Sequence, residues 1–316
     1  MPARIPIRQA IAAALTATTA TLLLGACGDQ TATGQNSGGP QAGGARSDAP
    51  LFAKLPKKYQ DAGVIKVGTD AAYAPMEFIE NGKIVGVDPD IADALGKQLG
   101  VKFVFTSGTF DSLITSLNSG RQDIVMSSMT DTKARQDGLD DKGQKTGNGV
   151  DFVDYFVAGS VVYVQKGNPH HIKSIADLCG KKAVVQRGTT FENVVKTQSK
   201  ACEAAGKPAV QIEAFPTDAE AQTRLKAGGA AAGVNDYPVA LDLSLKADGG
   251  NAFEIVGDQI EAGPFGIAVD KKNSGLRDAL KEAVDAIIED GSYKAALEKW
   301  NAEGGAIPAA KINGGS

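Results

Sequence analysis

The chain has 316 residues, 42% of them hydrophobic, which suits a globular core and excludes a wholly disordered polymer. Basic side chains number 33 against 37 acidic ones. No basic patch interleaved with aromatics occurs, so a nucleic-acid partner is not expected.

At the N-terminus, Arg4 and Arg8 precede an apolar segment from Ile11 to Leu24, and Leu24-Gly25-Ala26-Cys27 closes it. A charged region, a short apolar region and a small-residue cleavage site make a secretory signal over residues 1–26. The segment is too short and too rich in threonine for a membrane span, which needs roughly 20 apolar residues. The cysteine at the cleavage point resembles a bacterial lipoprotein signal. That resemblance implies lipidation of Cys27 and anchoring of an extracytoplasmic protein to the cell membrane; an ordinary secretory signal with an incidental cysteine is the alternative. Without residues 1–26 two arginines and no acids are lost, so the formal charge becomes 31 − 37 = −6. Residues 27–50 are mostly Gly, Gln, Ala, Ser, Thr and Asn without apolar periodicity, and read as a flexible tether. The roughly 265 residues from Leu51 onward are long for one core and comfortable for two.

Beyond the tether, β-branched runs alternate with helical patterns, which predicts α/β folding. The pattern predicts strand Val64–Thr69 and helix Pro89–Leu99, with Asp88 as its N-cap. Strand Val101–Thr106, helix Ser112–Asn118 and strand Ile124–Ser128 follow. Phe156–Gln165 reads as a long strand with a small-residue break at Ala158-Gly159-Ser160. The pattern then restarts. Ser174 to Asp177 and Thr217 to Glu220 are capping boxes. Between and beyond them come strand Val184–Gln186, helix Phe191–Ala205, strand Val210–Ala214, strand Ala231–Asn235 and helix Tyr237–Leu245. Strand Ile267–Val269 and helices Leu276–Glu289 and Tyr293–Trp300 complete the chain.

Cys179 and Cys202 are the other two cysteines. In an oxidising exterior an even pair reads as one disulfide, with free thiols or a metal site as the alternatives. No C-x-x-C spacing supports a metal, and the adjacent His170 and His171 point in different directions, so no metal and no cofactor are expected. The chain has neither a Gly-Lys-Ser/Thr phosphate loop nor a Gly-x-Ser-x-Gly elbow, so ATP use and hydrolase chemistry are not expected.

Three local patterns carry a family resemblance. The first is Gly68-Thr-Asp-Ala-Ala-Tyr73-Ala-Pro75-Met-Glu77-Phe, followed by Gly86-Val-Asp88-Pro-Asp90. The second is Met126-Ser-Ser-Met-Thr130-Asp-Thr-Lys-Ala-Arg135, followed by Asp151-Phe152-Val-Asp154. The third is Gln186-Arg-Gly188-Thr-Thr190, with Asn235-Asp236 after a small-residue strand. Together they resemble the polar-amino-acid class of extracytoplasmic solute-binding proteins, the capture subunits of ABC importers. The resemblance implies a type II periplasmic-binding-protein fold, in which two doubly wound α/β lobes enclose a ligand. Lobe 1 would comprise residues 51–158 and 260–316, and lobe 2 residues 159–259. Hinges would fall at Ala158-Gly159-Ser160 and near Gly257-Asp258-Gln259. The protein would be a monomer working with a membrane permease and a separate ATPase.

The chemistry of a free amino acid fits the matched positions. A zwitterion stripped of water needs a fixed partner for each charge. By the resemblance, Arg135 takes the α-carboxylate through its guanidinium fork, helped by Thr130 and by the helix start at Gly188 to Thr190. Asp236 and Ser128 take the α-ammonium. Tyr73 and Phe110 flank the side chain, and Asp70 suits a basic or amide group there. Arg187 pulls the other way, toward an acidic ligand. Taken alone, Arg135 also suits a solvated run, and Asp236 a helix cap before Tyr237-Pro238. The insertion from Gly138 to Gly149 reads as a polar surface loop directly after Arg135. Two alternative roles remain: an extracytoplasmic dehydratase, with Glu77 or Asp70 as acid or base, and a ligand-presenting sensor.

Overall fold

The computed structural model describes residues 45–140 and 142–316. The signal segment and Cys27 lie outside the described residues. The tether expectation needs correction at its end. The Arg46 amide donates to the Gly100 carbonyl at 2.7 Å and Ala49 is buried, so the chain is packed from Ala45 and not first from Leu51.

The chain begins α1 (Lys57–Ala62), β1 (Val64–Thr69), a small hairpin sheet β2 (Ala72–Tyr73), β3 (Glu77–Glu80), β4 (Lys83–Val85), then α2 (Val87–Leu99) and β5 (Lys102–Ser107). It continues α3 (Leu113–Asn118), β6 (Ile124–Val125), α4 (Lys133–Asp137) and the long β7 (Asp151–Gln165). Next come β8 (Lys182–Gln186), α5 (Thr190–Ala204), β9 (Gln211–Phe215), α6 (Asp218–Lys226), β10 (Ala232–Asp236) and α7 (Tyr237–Lys246). The chain closes with β11 (Phe253–Val269), α8 (Ser274–Glu289) and α9 (Ser292–Lys299). None of the described helices is long and apolar enough to cross a membrane.

One sheet runs through the molecule in the order β5-β1-β6-β11-β7-β10-β8-β9. Parallel pairing joins β5, β1 and β6 on one side and β10, β8 and β9 on the other. Between them β7 and β11 run antiparallel, so two α/β halves share a two-stranded ribbon. Each half buries its strands under helices spaced for the purpose. In α2 the apolar positions Ile91, Leu95 and Leu99 recur every four residues and are fully buried, and Gly100 ends the helix in the left-handed conformation. They pack in one core with Ile65 and Val67 of β1 and Leu276, Leu280, Val284 and Ile287 of α8. Each such side chain stabilises the fold by roughly 1.5–3 kcal/mol.

Both predicted capping boxes form, at Ser174 with Asp177 and at Thr217 with Glu220. The Cys179–Cys202 disulfide is present, tying the start of this half to α5 with a Cα–Cα distance of 5.5 Å. Three expectations change. First, Gly86 occupies the N-cap of α2, so Asp88 sits inside the first turn with its carboxylate free for other work. Second, β7 is unbroken through Ala158–Ser160; the irregularity lies on its partner, with register shifts between Val256 and Ile260 and between Ile260 and Gly263. Third, β11 starts at Phe253, well before the predicted Ile267.

Candidate functional site

Strands of α/β sheets deliver ligand-contacting residues at their carboxyl ends. Here Asp70 follows β1, Ser128 and Thr130 follow β6, Gln186 ends β8 and Asp236 ends β10. These ends face one another across a narrow cavity of about 10 Å³. That is room for about one water molecule, far below the roughly 300–1,000 Å³ usual for small-molecule sites, so the two sides of the cleft are closed on one another.

The cavity is lined by Asp70, Tyr73, Phe110, Ser128, Thr130, Arg135, Thr190 and Asp236, so eight of the nine sequence-derived ligand residues meet in one place. Gly188 is the ninth. It is not in the lining; its carbonyl instead accepts from Arg135 Nη2 at 3.0 Å. Its φ of +79° and the Asp111 Cβ only 3.1 Å from where a Cβ would stand explain the glycine. Three lining residues were not expected as ligand contacts, Glu77, Gln186 and Phe191, while Thr189 lies within the helix start already named.

Arg135 rides on the five-residue helix α4, whose N-cap Thr132 accepts the Arg135 amide. Its Nη1 donates to the Thr130 carbonyl at 2.6 Å, and its Cζ lies 5.3 Å from the Phe110 ring centroid. Burial pulls the guanidinium pKa down to about 10, so it remains charged at neutral pH. Two of its five N–H donors are taken by the named carbonyls, which fix the fork and leave donors for an anion. This is a seated group and not a solvated run. The insertion after it is anchored at its base, where the Val150 amide donates to the Arg135 carbonyl at 3.2 Å, while residues 142–148 are exposed.

Facing Arg135 is the start of α5. Thr189 is its N-cap and accepts the Glu192 amide, and Thr190 Oγ1 lies 3.2 Å from Thr130 Oγ1 across the cleft. The free amides of this first turn add positive potential beside Arg135.

Asp236 occupies the N-cap position of α7, yet its side chain caps nothing. The Tyr73 hydroxyl instead lies 2.7 Å from Asp236 Oδ2 and 2.6 Å from Asn235 Oδ1, its one proton within reach of either oxygen. Burial pushes the Asp236 carboxyl up to about 7, against the opposing pull of Tyr73 and Arg135. Asn235 Nδ2 in turn donates to Asp218 at 2.9 Å, so a buried polar chain backs the carboxylate.

Asp70 accepts Gln186 Nε2 at 2.6 Å, and desolvation raises its pKa. Behind it, Ser127 donates to Glu77 Oε1 at 2.8 Å and Ser128 Oγ to Glu77 Oε2 at 3.2 Å. The Ser128 amide donates to Asp88 Oδ2 at 3.0 Å, and Tyr155 to Asp88 Oδ1 at 2.7 Å. Those bonds hold Ser128 at a left-handed φ of +46°, a conformation worth about 1–3 kcal/mol of strain for a non-glycine. Glu77 and Asp88 are buried together. Desolvation and the Asp88 charge beside it push the Glu77 carboxyl well above the usual carboxylate range, and burial raises Asp88 to about 6. Arg187 is outside the cavity: it is exposed, 3.8 Å from Asp111, and donates to the Ala214 carbonyl.

Residues 65–303 match the profile of bacterial extracellular solute-binding proteins, family 3. The chain belongs to that family. Among relatives of this solute-binding protein is the arginine-binding protein ArgT of Corynebacterium glutamicum, 30% identical over 265 residues that cover 83% of this chain and 82% of that one. A solved ancestral arginine-binding protein bound to arginine is 40% identical, with a TM-score of 0.65, covering 75% of this chain and 98% of its own. The ancestral amino acid-binding protein AncCDT-1, a precursor of cyclohexadienyl dehydratase, is 35% identical with a TM-score of 0.66, covering 77% and 98%. The type II periplasmic-binding-protein architecture of these neighbours is the architecture found here.

Proposed function

We propose that this protein captures a cationic L-amino acid, with an arginine-like side chain, and delivers it to the membrane permease of an ABC importer whose separate ATPase supplies the energy. The charge balance of the cavity carries the reading. Three carboxyl groups, Asp70, Glu77 and Asp236, line it against a single cationic group, Arg135. A zwitterion with a cationic side chain brings positive charge to this acid-rich lining; glutamate would add a further carboxylate to a desolvated site.

In this reading Arg135, Thr130 and the first turn of α5 hold the α-carboxylate, and Asp236 with Ser128 holds the α-ammonium. Asp70, with Gln186 beside it, meets the distal cation. Tyr73 and Phe110 cover the alkyl chain. The exclusion of Arg187 from the cavity removes the group that argued for an acidic ligand. Closure would turn on the β7–β11 ribbon, where Gly159 N donates to Gln259 Oε1 at 3.0 Å beside the irregular stretch of β11. Relatives named for arginine binding agree with the side-chain assignment. A lipid anchor at Cys27 would keep the protein beside its permease.

The test is titration calorimetry over L-arginine, L-lysine, L-histidine, L-glutamine and L-glutamate. L-Arginine or L-lysine should bind most tightly and L-glutamate not at all; tighter binding of glutamate, or no amino acid binding better than about millimolar, overturns the proposal.

A further inference from the structure

The last residues of the chain lie across the back of the segment that carries Thr130 and Arg135. Ile312 bridges Val153 at the start of β7, and Asn313 accepts the Phe152 amide at 2.8 Å and donates to Asp151 Oδ1 at 3.0 Å. Gly314 N then donates to Asp154 Oδ2 at 3.1 Å, and Gly315 N to Asp131 Oδ2 at 2.8 Å. Gln136 Nε2 ties the assembly, donating to Asp131 Oδ1 at 2.8 Å and to the Gly315 carbonyl at 3.4 Å.

Asp131 and Asp154 are both buried, with 1% and 3% of their surface exposed, and they face each other. Burial and the Asp131 charge push Asp154 up to about 7. Two buried carboxyl groups in contact need donors, and the backbone amides of the two glycines supply one to each, leaving Asp154 Oδ1 without a partner. The approach is too close for any side chain. A Cβ on Gly315 would stand 2.0 Å from the Asp131 carbonyl oxygen, and one on Gly314 would stand 2.5 Å from Asp154 Oδ2.

Asp131 is the residue after Thr130, and Gln136 is the residue after Arg135. The strap therefore grips both ends of the short segment whose own internal bond, Arg135 Nη1 to the Thr130 carbonyl, fixes the guanidinium fork. We infer that the strap of Asn313, Gly314 and Gly315 is a positioning element that sets the affinity of the site for the carboxylate end of its ligand, acting through Asp131 and Gln136. This rests on the reading of Arg135 and Thr130 as the carboxylate grip.

The test compares the full chain with Gly315→Ala, measuring L-arginine binding by calorimetry and backbone hydrogen exchange by mass spectrometry. Gly304→Ala is the control, because a methyl there meets open space. Gly315→Ala should weaken L-arginine by about 10-fold or more, equivalent to about 1.4 kcal/mol, and speed exchange over residues 130–137 while the rest of the chain stays protected. Should Gly315→Ala fail to fold, Asn313→Gly removes the two side-chain bonds while accepting the φ of +54°; it should give the same local loosening and a loss of about 3-fold or more. Unchanged affinity and unchanged exchange in both variants overturn the inference, as does exchange that rises uniformly. If the wild type binds L-arginine and the variants match it, only the strap is at fault. If the wild type binds no amino acid, the ligand reading fails first and the strap inference falls with it.

Discussion

Replacing Asp236 by asparagine should move stability and affinity in opposite directions. Its carboxyl pKa of about 7 lies roughly 3 units above the 3.8 of an unburied aspartate. At 1.36 kcal/mol per unit, holding it ionised near pH 8 costs the ligand-free fold about 4 kcal/mol. The sign follows from the raised value. The folded state keeps the proton longer than the unfolded chain, so the cost is absent below about pH 4 and grows until pH passes about 7. Asparagine keeps an oxygen for Tyr73 and removes the charge, so Asp236→Asn should stabilise the ligand-free protein near pH 8 by about 1–3 kcal/mol, less than the full cost because its amide is still desolvated. The same change leaves a buried ammonium of the ligand without its counter-charge, worth about 2–5 kcal/mol, or a loss of about 30-fold to several thousand-fold. Thermal melts of the ligand-free protein near pH 8 and pH 4, with calorimetric titration of L-arginine, read both effects. A variant that melts lower than wild type near pH 8, or binds L-arginine within about 3-fold of it, refutes the assignment of Asp236.

Other consequences can be measured on the same material. Arg135→Lys keeps the charge but loses the planar fork, and should weaken L-arginine by about 10–100-fold in calorimetry. Binding of L-arginine to wild type should weaken by about 10-fold between pH 8 and pH 6 as Asp236 takes up a proton, and titrations in buffers of different ionisation enthalpy should register proton release on binding. Cys179→Ser with Cys202→Ser opens a loop spanning 23 residues and should cost about 3 kcal/mol, seen as a lower Tm, with L-arginine affinity little changed because the bridge lies away from the cavity.

Elements whose residues alternate or recur with a clear period were legible in the chain. Strand Val64–Thr69 emerges with the predicted limits, and both capping boxes open the helices expected of them. Helix α4 escaped because five residues are too few to show a period, and Arg135 was assigned only through the family pattern around it. The first part of β11 escaped because its bulged, glycine-containing stretch is held by pairing with β7, a partner distant in sequence. Asp88 misled for a chemical reason. Gly86 begins the helix, which releases the carboxylate to hold Ser128 and Tyr155. Gln186 stood inside a quoted motif without any local sign of its role, since its partner Asp70 is 116 residues away on the other half. Glu77 drew notice as a possible acid or base, and its place in the lining follows from two serines brought beside it by the strand ends.

Several bonds that span the cleft join protein to protein: Thr130 to Thr190, Tyr73 to Asp236, Arg135 to Gly188 and Asp70 to Gln186. The doorway thus has its own catch. A guest that enters contributes only the remaining increment needed to keep it shut. Letting go is then the harder half of the job: release must prise apart this catch as well as the grip on the solute.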